Sequence, residues 1–143
     1  MPPPGVKARI DRFWRAMKRL QKITSYNLTN FLQNEDLIDA GERNLQVVIE
    51  AMIDVSEFLI SYMKWRTPRS YRDVGLILFE NGVISKEQEE LFRKAVNLRN
   101  ILIHNYIYMA PDELYNNLKS FTNLLTIIMN TILSYMEREG VDP

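Results

Sequence analysis

Cysteine is absent from this chain and histidine occurs once, at His104. The first absence excludes a disulfide framework and any thiolate metal site. The second leaves carboxylates as the main metal donors, and no ligand spacing suggests a site, so neither metal nor cofactor is expected. Long apolar runs are missing too. The longest apolar region, Leu124 to Met136, is interrupted by Thr126, Asn130, Thr131 and Ser134, whereas a bilayer span needs about 20 apolar residues. Met1-Pro2-Pro3-Pro4-Gly5 leads into charged residues rather than an apolar stretch, so no signal peptide and no membrane partner are expected, and the cytoplasm is the expected compartment. An excess of either charge sign is also lacking: 18 Lys and Arg balance 18 Asp and Glu. That argues against a protein that is basic all over.

What remains is an ordinary globular composition, 46% hydrophobic and 25% charged, over 143 residues. This length fits a single domain, expected over 1–143 with frayed ends at about 1–5 and 140–143. The charge is unevenly spread. Seven of the Lys and Arg residues fall in the first 22 positions, with Asp11 the only acid among them. Arg12, Arg15, Arg19 and Lys22 recur at spacings of three and four, which on a helix makes one stripe. Two readings stand: a solvated helix face, or a track for RNA phosphates, which needs clustered rather than total charge.

The apolar spacing predicts an all-α chain. A first helix is expected from about Val6 into the low thirties, bent or broken at Thr24-Ser25-Tyr26-Asn27. A second runs from about Ile38 to Trp65 and ends before Pro68, because a proline forces the preceding residue out of helical geometry. Ser70 caps a third, about Tyr71 to Glu80, stopped by Asn81-Gly82. Ser85 and Gln88 form a capping-box pattern that starts a fourth near Lys86. A final helix from about Asp112 to Arg138 is apolar over more than one face. It is either the centre of the bundle or a dimer interface.

The fourth helix carries Arg99-Asn100-Ile101-Leu102-Ile103-His104-Asn105-Tyr106. A guanidinium that grips phosphate, an imidazole that moves protons near neutral pH and a phenol together suit phosphodiester cleavage. On an ideal helix His104 stands about 140° around and about 7.5 Å along from Arg99, while Tyr106 returns to within about 20° of it. Either the helix loosens near its end, or two chains meet so that each histidine faces the other's arginine. Cleaving RNA without metal favours the second. It needs a base for the 2′-hydroxyl, an acid for the leaving 5′-oxygen and cations for the phosphoryl oxygens. Each residue also has a structural reading. His104 can be a hydrogen-bonding group, Arg99-Asn100 can cap carbonyls or meet an acid, and Tyr106 can be half-buried. Glu50 and Asp54, one turn apart on the second helix, are the acids that could orient Arg99.

Arg99-Asn100-x-x-x-His104-x-Tyr106 resembles the R-x4-H-x-Y signature of the HepT family within the HEPN superfamily. Glu42-Arg43-Asn44-Leu45-Gln46 with Glu50-Ala51 and Asp54 is similar to that family's second-helix block. Ser70-Tyr71-Arg72-Asp73 and Gly82-Val83-Ile84 sit where its third helix and following turn belong. The resemblance covers about residues 6 to 136. It implies an antiparallel HEPN-like bundle of four to five helices that forms a homodimer, with the motif of both chains lining a shared cleft. It further implies a metal-independent endoribonuclease toxin whose antitoxin is an MNT-type nucleotidyltransferase. Arg99 and His104 would be the catalytic pair and Asn100 their support. Tyr106 would be both a site residue and the acceptor of AMP. The alternative is a catalytically silent HEPN partner that binds a nucleotidyltransferase or a nucleotide and cuts nothing.

Overall fold

The computed structural model describes residues 5–104 and 108–143. These form six α-helices: α1 (Lys7–Thr24), α2 (Leu28–Leu32), α3 (Glu35–Tyr62), α4 (Tyr71–Glu80), α5 (Lys86–Ile103) and α6 (Pro111–Arg138). The expected four to five become six because the first breaks cleanly. Asn27 takes an extended conformation and its side chain accepts from the Asn30 N–H at 2.8 Å, which starts α2 afresh. The Tyr115 hydroxyl donates to the Tyr26 carbonyl at 2.7 Å, fastening that break to α6.

Capping sets the other boundaries. Asn34 accepts from the Leu37 N–H, with Glu35 and Asp36 in the first turn, so α3 begins three residues before the expected Ile38. It ends at Tyr62 rather than Trp65 through a pair of closing bonds: Trp65 N–H to the Ile60 carbonyl and Lys64 N–H to the Ser61 carbonyl, both 3.1 Å. This arrangement requires a left-handed residue between them, and Lys64 takes it at φ 58°. Gly82 (φ 74°) and Gly140 (φ 66°) close α4 and α6 in the same way. The last of these falls at residue 140, where fraying is expected. The Val141 N–H reaches the Met136 carbonyl at 2.8 Å, and its side chain is buried.

α3 is the axis of the bundle. α1 and α6 pack against it and against each other, and α4 and α5 pair with each other and against it. Leu45, Val48, Ile49, Met52, Leu59 and Ile60 of α3 are buried, as are Phe13, Met17 and Leu20 of α1 and Leu118, Leu125, Ile128 and Ile132 of α6. Each such side chain contributes roughly 1.5–3 kcal/mol by leaving water. The two apolar faces of α6 are used within the chain, since it meets α1, α2, α3 and α5. Ile127 is its one large apolar side chain left exposed. Among the described residues no helix is long and apolar enough to cross a membrane.

Lys64 pays a backbone cost that glycine would not, since a left-handed L-residue costs about 1–2 kcal/mol. Lys64→Gly should therefore raise the unfolding free energy by about 1 kcal/mol, read as a higher urea midpoint at unchanged m-value.

Candidate functional site

Arg99 sits in the last turns of α5, at the meeting of three helices. Its side chain is only 17% exposed. Nη2 lies 3.5 Å from Glu50 Oε2 on α3, an ion pair more than a hydrogen bond at that length. Nη1 donates to Asn100 Oδ1 at 3.2 Å. The guanidinium carbon stands 5.2 Å from the centre of the Tyr71 ring at the start of α4, within cation–π range. Glu50 is itself steadied by Gln46, whose Nε2 donates to Oε1 at 2.7 Å. Arg99 Nε is buried and has no hydrogen-bond partner among the described residues.

Of the two acids expected to orient Arg99, the structure brings only Glu50 to it. Asp54, one turn on, pairs instead with Arg9 of α1. Asn100 lies beside Arg99 as the motif suggests. His104 does not continue the helix. It is the C-cap of α5, with extended torsions of φ −90° and ψ 113°, and it is exposed. The angular separation of an ideal helix therefore does not apply to it. Tyr106 lies outside the described residues.

The helix start that presents Tyr71 is tied down by Asp73. Its two oxygens take a forked pair of bonds from Arg66, at 2.7 and 2.8 Å, and Oδ2 also accepts from the Arg69 N–H at 2.9 Å. Ser70 caps the same turn by accepting from the Asp73 N–H. Arg66 additionally reaches Glu80 Oε1 at 3.0 Å, so one guanidinium spans both ends of α4.

On the other side of Glu50, the basic stripe of α1 faces α3. Arg12, Arg15 and Arg19 line a cleft of about 290 Å³ with Arg43 of α3. A second cleft of about 310 Å³ shares Arg12 and Arg43 and extends to Arg9, Gln46, Glu50 and Asp54. Lys22, placed on the same stripe by its spacing, lines neither.

A family model described as Ribonuclease HepT-like matches residues 14–132, which include the Arg99–Tyr106 segment and the Glu42–Asp54 block. The chain belongs to the HepT-like ribonuclease family. It is 29% identical over 118 residues to the mRNA nuclease HepT of Shewanella oneidensis, across 80% of this chain and 88% of that protein. It is 21% identical to the tRNA nuclease HepT of Aphanizomenon flos-aquae, across 94% and 91%. Its fold matches the solved tri-AMPylated HEPN toxin of Shewanella oneidensis in complex with MNT antitoxin. The TM-score is 0.81, the identity 26% and the coverage 90% of this chain and 96% of that one. The six-helix arrangement is thus the HEPN fold.

Motif reading in this HepT-like chain overlooks Tyr71, Gln46 and Arg43. Gln46 and Arg43 stand inside the second-helix block, but no local spacing says that they face α5 or α1. Tyr71 is legible only as the first residue after a cap; its contact depends on how α4 and α5 pack.

The Asp73 anchor has a pH signature. The Arg66 side chain above all, then the Arg69 N–H, holds the Asp73 carboxyl down at about 2. A depressed carboxylate stabilises the fold above its unfolded value of about 3.9, and that contribution is lost as pH falls through the folded value. Asp73→Asn should thus lower stability by a constant amount at neutral pH. In urea titrations at stepped pH, the gap to wild type should narrow between about pH 4 and pH 2.

Proposed function

We propose that this protein is a metal-independent endoribonuclease, the toxin of a toxin–antitoxin pair, acting as a homodimer whose two motif segments share one cleft. The observation that carries the reading is the held Arg99. It is a largely buried guanidinium fixed by Glu50, Asn100 and Tyr71, one short step before an exposed His104 at the helix end. The names of its relatives, an mRNA nuclease and a tRNA nuclease, support RNA as the substrate.

In this reading the imidazole of one protomer removes the proton from the ribose 2′-hydroxyl, and the 2′-oxygen attacks phosphorus. The imidazole of its partner protonates the departing 5′-oxygen. The products are a 2′,3′-cyclic phosphate and a free 5′-hydroxyl. The paired guanidiniums stabilise charge gathering on the phosphoryl oxygens, and DNA fails for want of a 2′-hydroxyl. Exposed Ile103 and Tyr108, either side of the motif's end, supply apolar surface that a second copy could cover.

Silencing would come from an MNT-type nucleotidyltransferase. The tyrosine oxygen attacks the α-phosphate of ATP, pyrophosphate leaves, and AMP stays on Tyr106. The tri-AMPylated state of the solved relative supports this. The added group brings bulk and negative charge to the place where the substrate phosphate must sit.

Purified wild type should cut RNA in EDTA and leave cyclic-phosphate ends. His104→Ala and Arg99→Ala should each slow cleavage by a factor on the order of 10² or more. His104→Ala should keep the helical circular-dichroism spectrum of wild type, so that lost cleavage is not lost fold. Equal inertness of wild type and both variants would support the silent-partner alternative instead. Co-expression with the nucleotidyltransferase should add AMP masses to the intact protein, and Tyr106→Phe should abolish them.

A further inference from the structure

The strongest unassigned feature outside the motif is the basic groove between α1 and α3. Arg12, Arg15, Arg19 and Arg43 are all exposed, and none pairs with a carboxylate among the described residues. Four guanidiniums on two facing helices are more than a solvated stripe. A stripe alone would shed its charge evenly into water, whereas Arg43 comes from a different helix and closes the far wall of the same cleft. Holding four like charges together raises the folded state's energy unless an anion relieves it.

The groove also leads somewhere. Arg12 and Arg43 line the adjoining cleft, whose far wall carries Glu50, the residue that holds Arg99. The carboxylates at that end do not repel an incoming anion strongly, because each already has a cation: Asp54 has Arg9, and Glu50 has Arg99. The charge pattern is therefore four unmatched cations followed by two neutralised pairs, ending at the motif.

We propose that this groove is a backbone-binding exosite for single-stranded RNA, which holds successive phosphates and feeds the strand toward Arg99. Arg12, Arg15 and Arg19 span about 10.5 Å of helix rise, room for two or three phosphates of one strand. Guanidiniums grip phosphate oxygens in a fork regardless of base, so the exosite supplies affinity rather than sequence reading. The inference rests on the nuclease reading for its occupant. Its test separates the two.

Binding would be measured on full-length His104→Ala, whose slowed cleavage keeps the strand intact, with a fluorescein-labelled single-stranded oligouridylate across a salt series. Replacing Arg12, Arg15 and Arg43 together by Gln should weaken binding and make the log–log salt slope shallower by about 2, since each single-strand phosphate contact contributes roughly 0.7. Replacing Lys18, Lys94 and Lys119 by Gln removes equal charge from outside the groove and should change the slope little. With His104 restored, the groove variant should raise KM for RNA cleavage and leave kcat within about twofold, as loss of uniform binding does. An unchanged slope with cleavage intact overturns the exosite alone. So does a control triple that weakens binding equally, or a groove variant that loses the nucleotidyltransferase but keeps RNA. Groove-dependent RNA binding by a wild type that cuts nothing overturns the nuclease reading and leaves the exosite standing.

Discussion

The Arg99–Glu50 contact is the constraint on which the rest of the site depends. A guanidinium cannot lose its protons at any working pH, so a largely buried arginine must find negative charge or a π-face. Arg99 finds both, on two different helices, and neither is generous. Glu50 stands at 3.5 Å, the Tyr71 ring is reached by its face, and Nε meets no acceptor among the described residues. Because its partners come from α3 and α4, those two helices and α5 cannot shift independently of the arginine.

Electrostatic division of labour follows from the same contact. The face of α3 that meets α1 carries Arg43, Gln46, Glu50 and Asp54 in succession, so one helix changes sign along its length. Among the described residues the Arg43 charge is unmatched, while Glu50 and Asp54 are each matched across to another helix. A chain of zero net charge can therefore still present a strongly positive groove. Overall charge reports on solubility; the arrangement of matched and unmatched groups reports on what binds.

Local chemistry made most of the fold legible. The Ser70 and Ser85 caps and the glycine stop after α4 depend on residues within a few positions of one another, and spacing reveals them. The break at Asn27 was visible as a polar run, although not as a new helix, because whether a weak stretch bends or restarts depends on Tyr115 gripping it from 89 residues away. The end of α3 was missed for a different reason. Lys64 adopts a conformation that sequence assigns to glycine, so no residue type announced it. The site divides along the same line. Arg99, Asn100 and His104 share one segment and could be read together. Glu50 was found by its place one turn from Asp54, but nothing local could say which of the two would face Arg99. Tyr71 and Arg43 reach the site only through helix packing.

The position of His104 shows why a helix end matters more here than a helix face. Within a continuous helix, a residue five places from Arg99 would be carried to the opposite side by the 100° step, whatever its neighbours. Capping α5 at Ile103 releases the imidazole from that phase, and its extended torsions set its direction instead. The arginine keeps the orientation of a packed helix, while the histidine takes its direction from the cap. In the proposed cleavage the first would present a fork to two phosphate oxygens, and the second would turn its imidazole toward a hydroxyl. A spacing of five residues that looks wrong for a helix is thus suited to a residue pair that straddles its end.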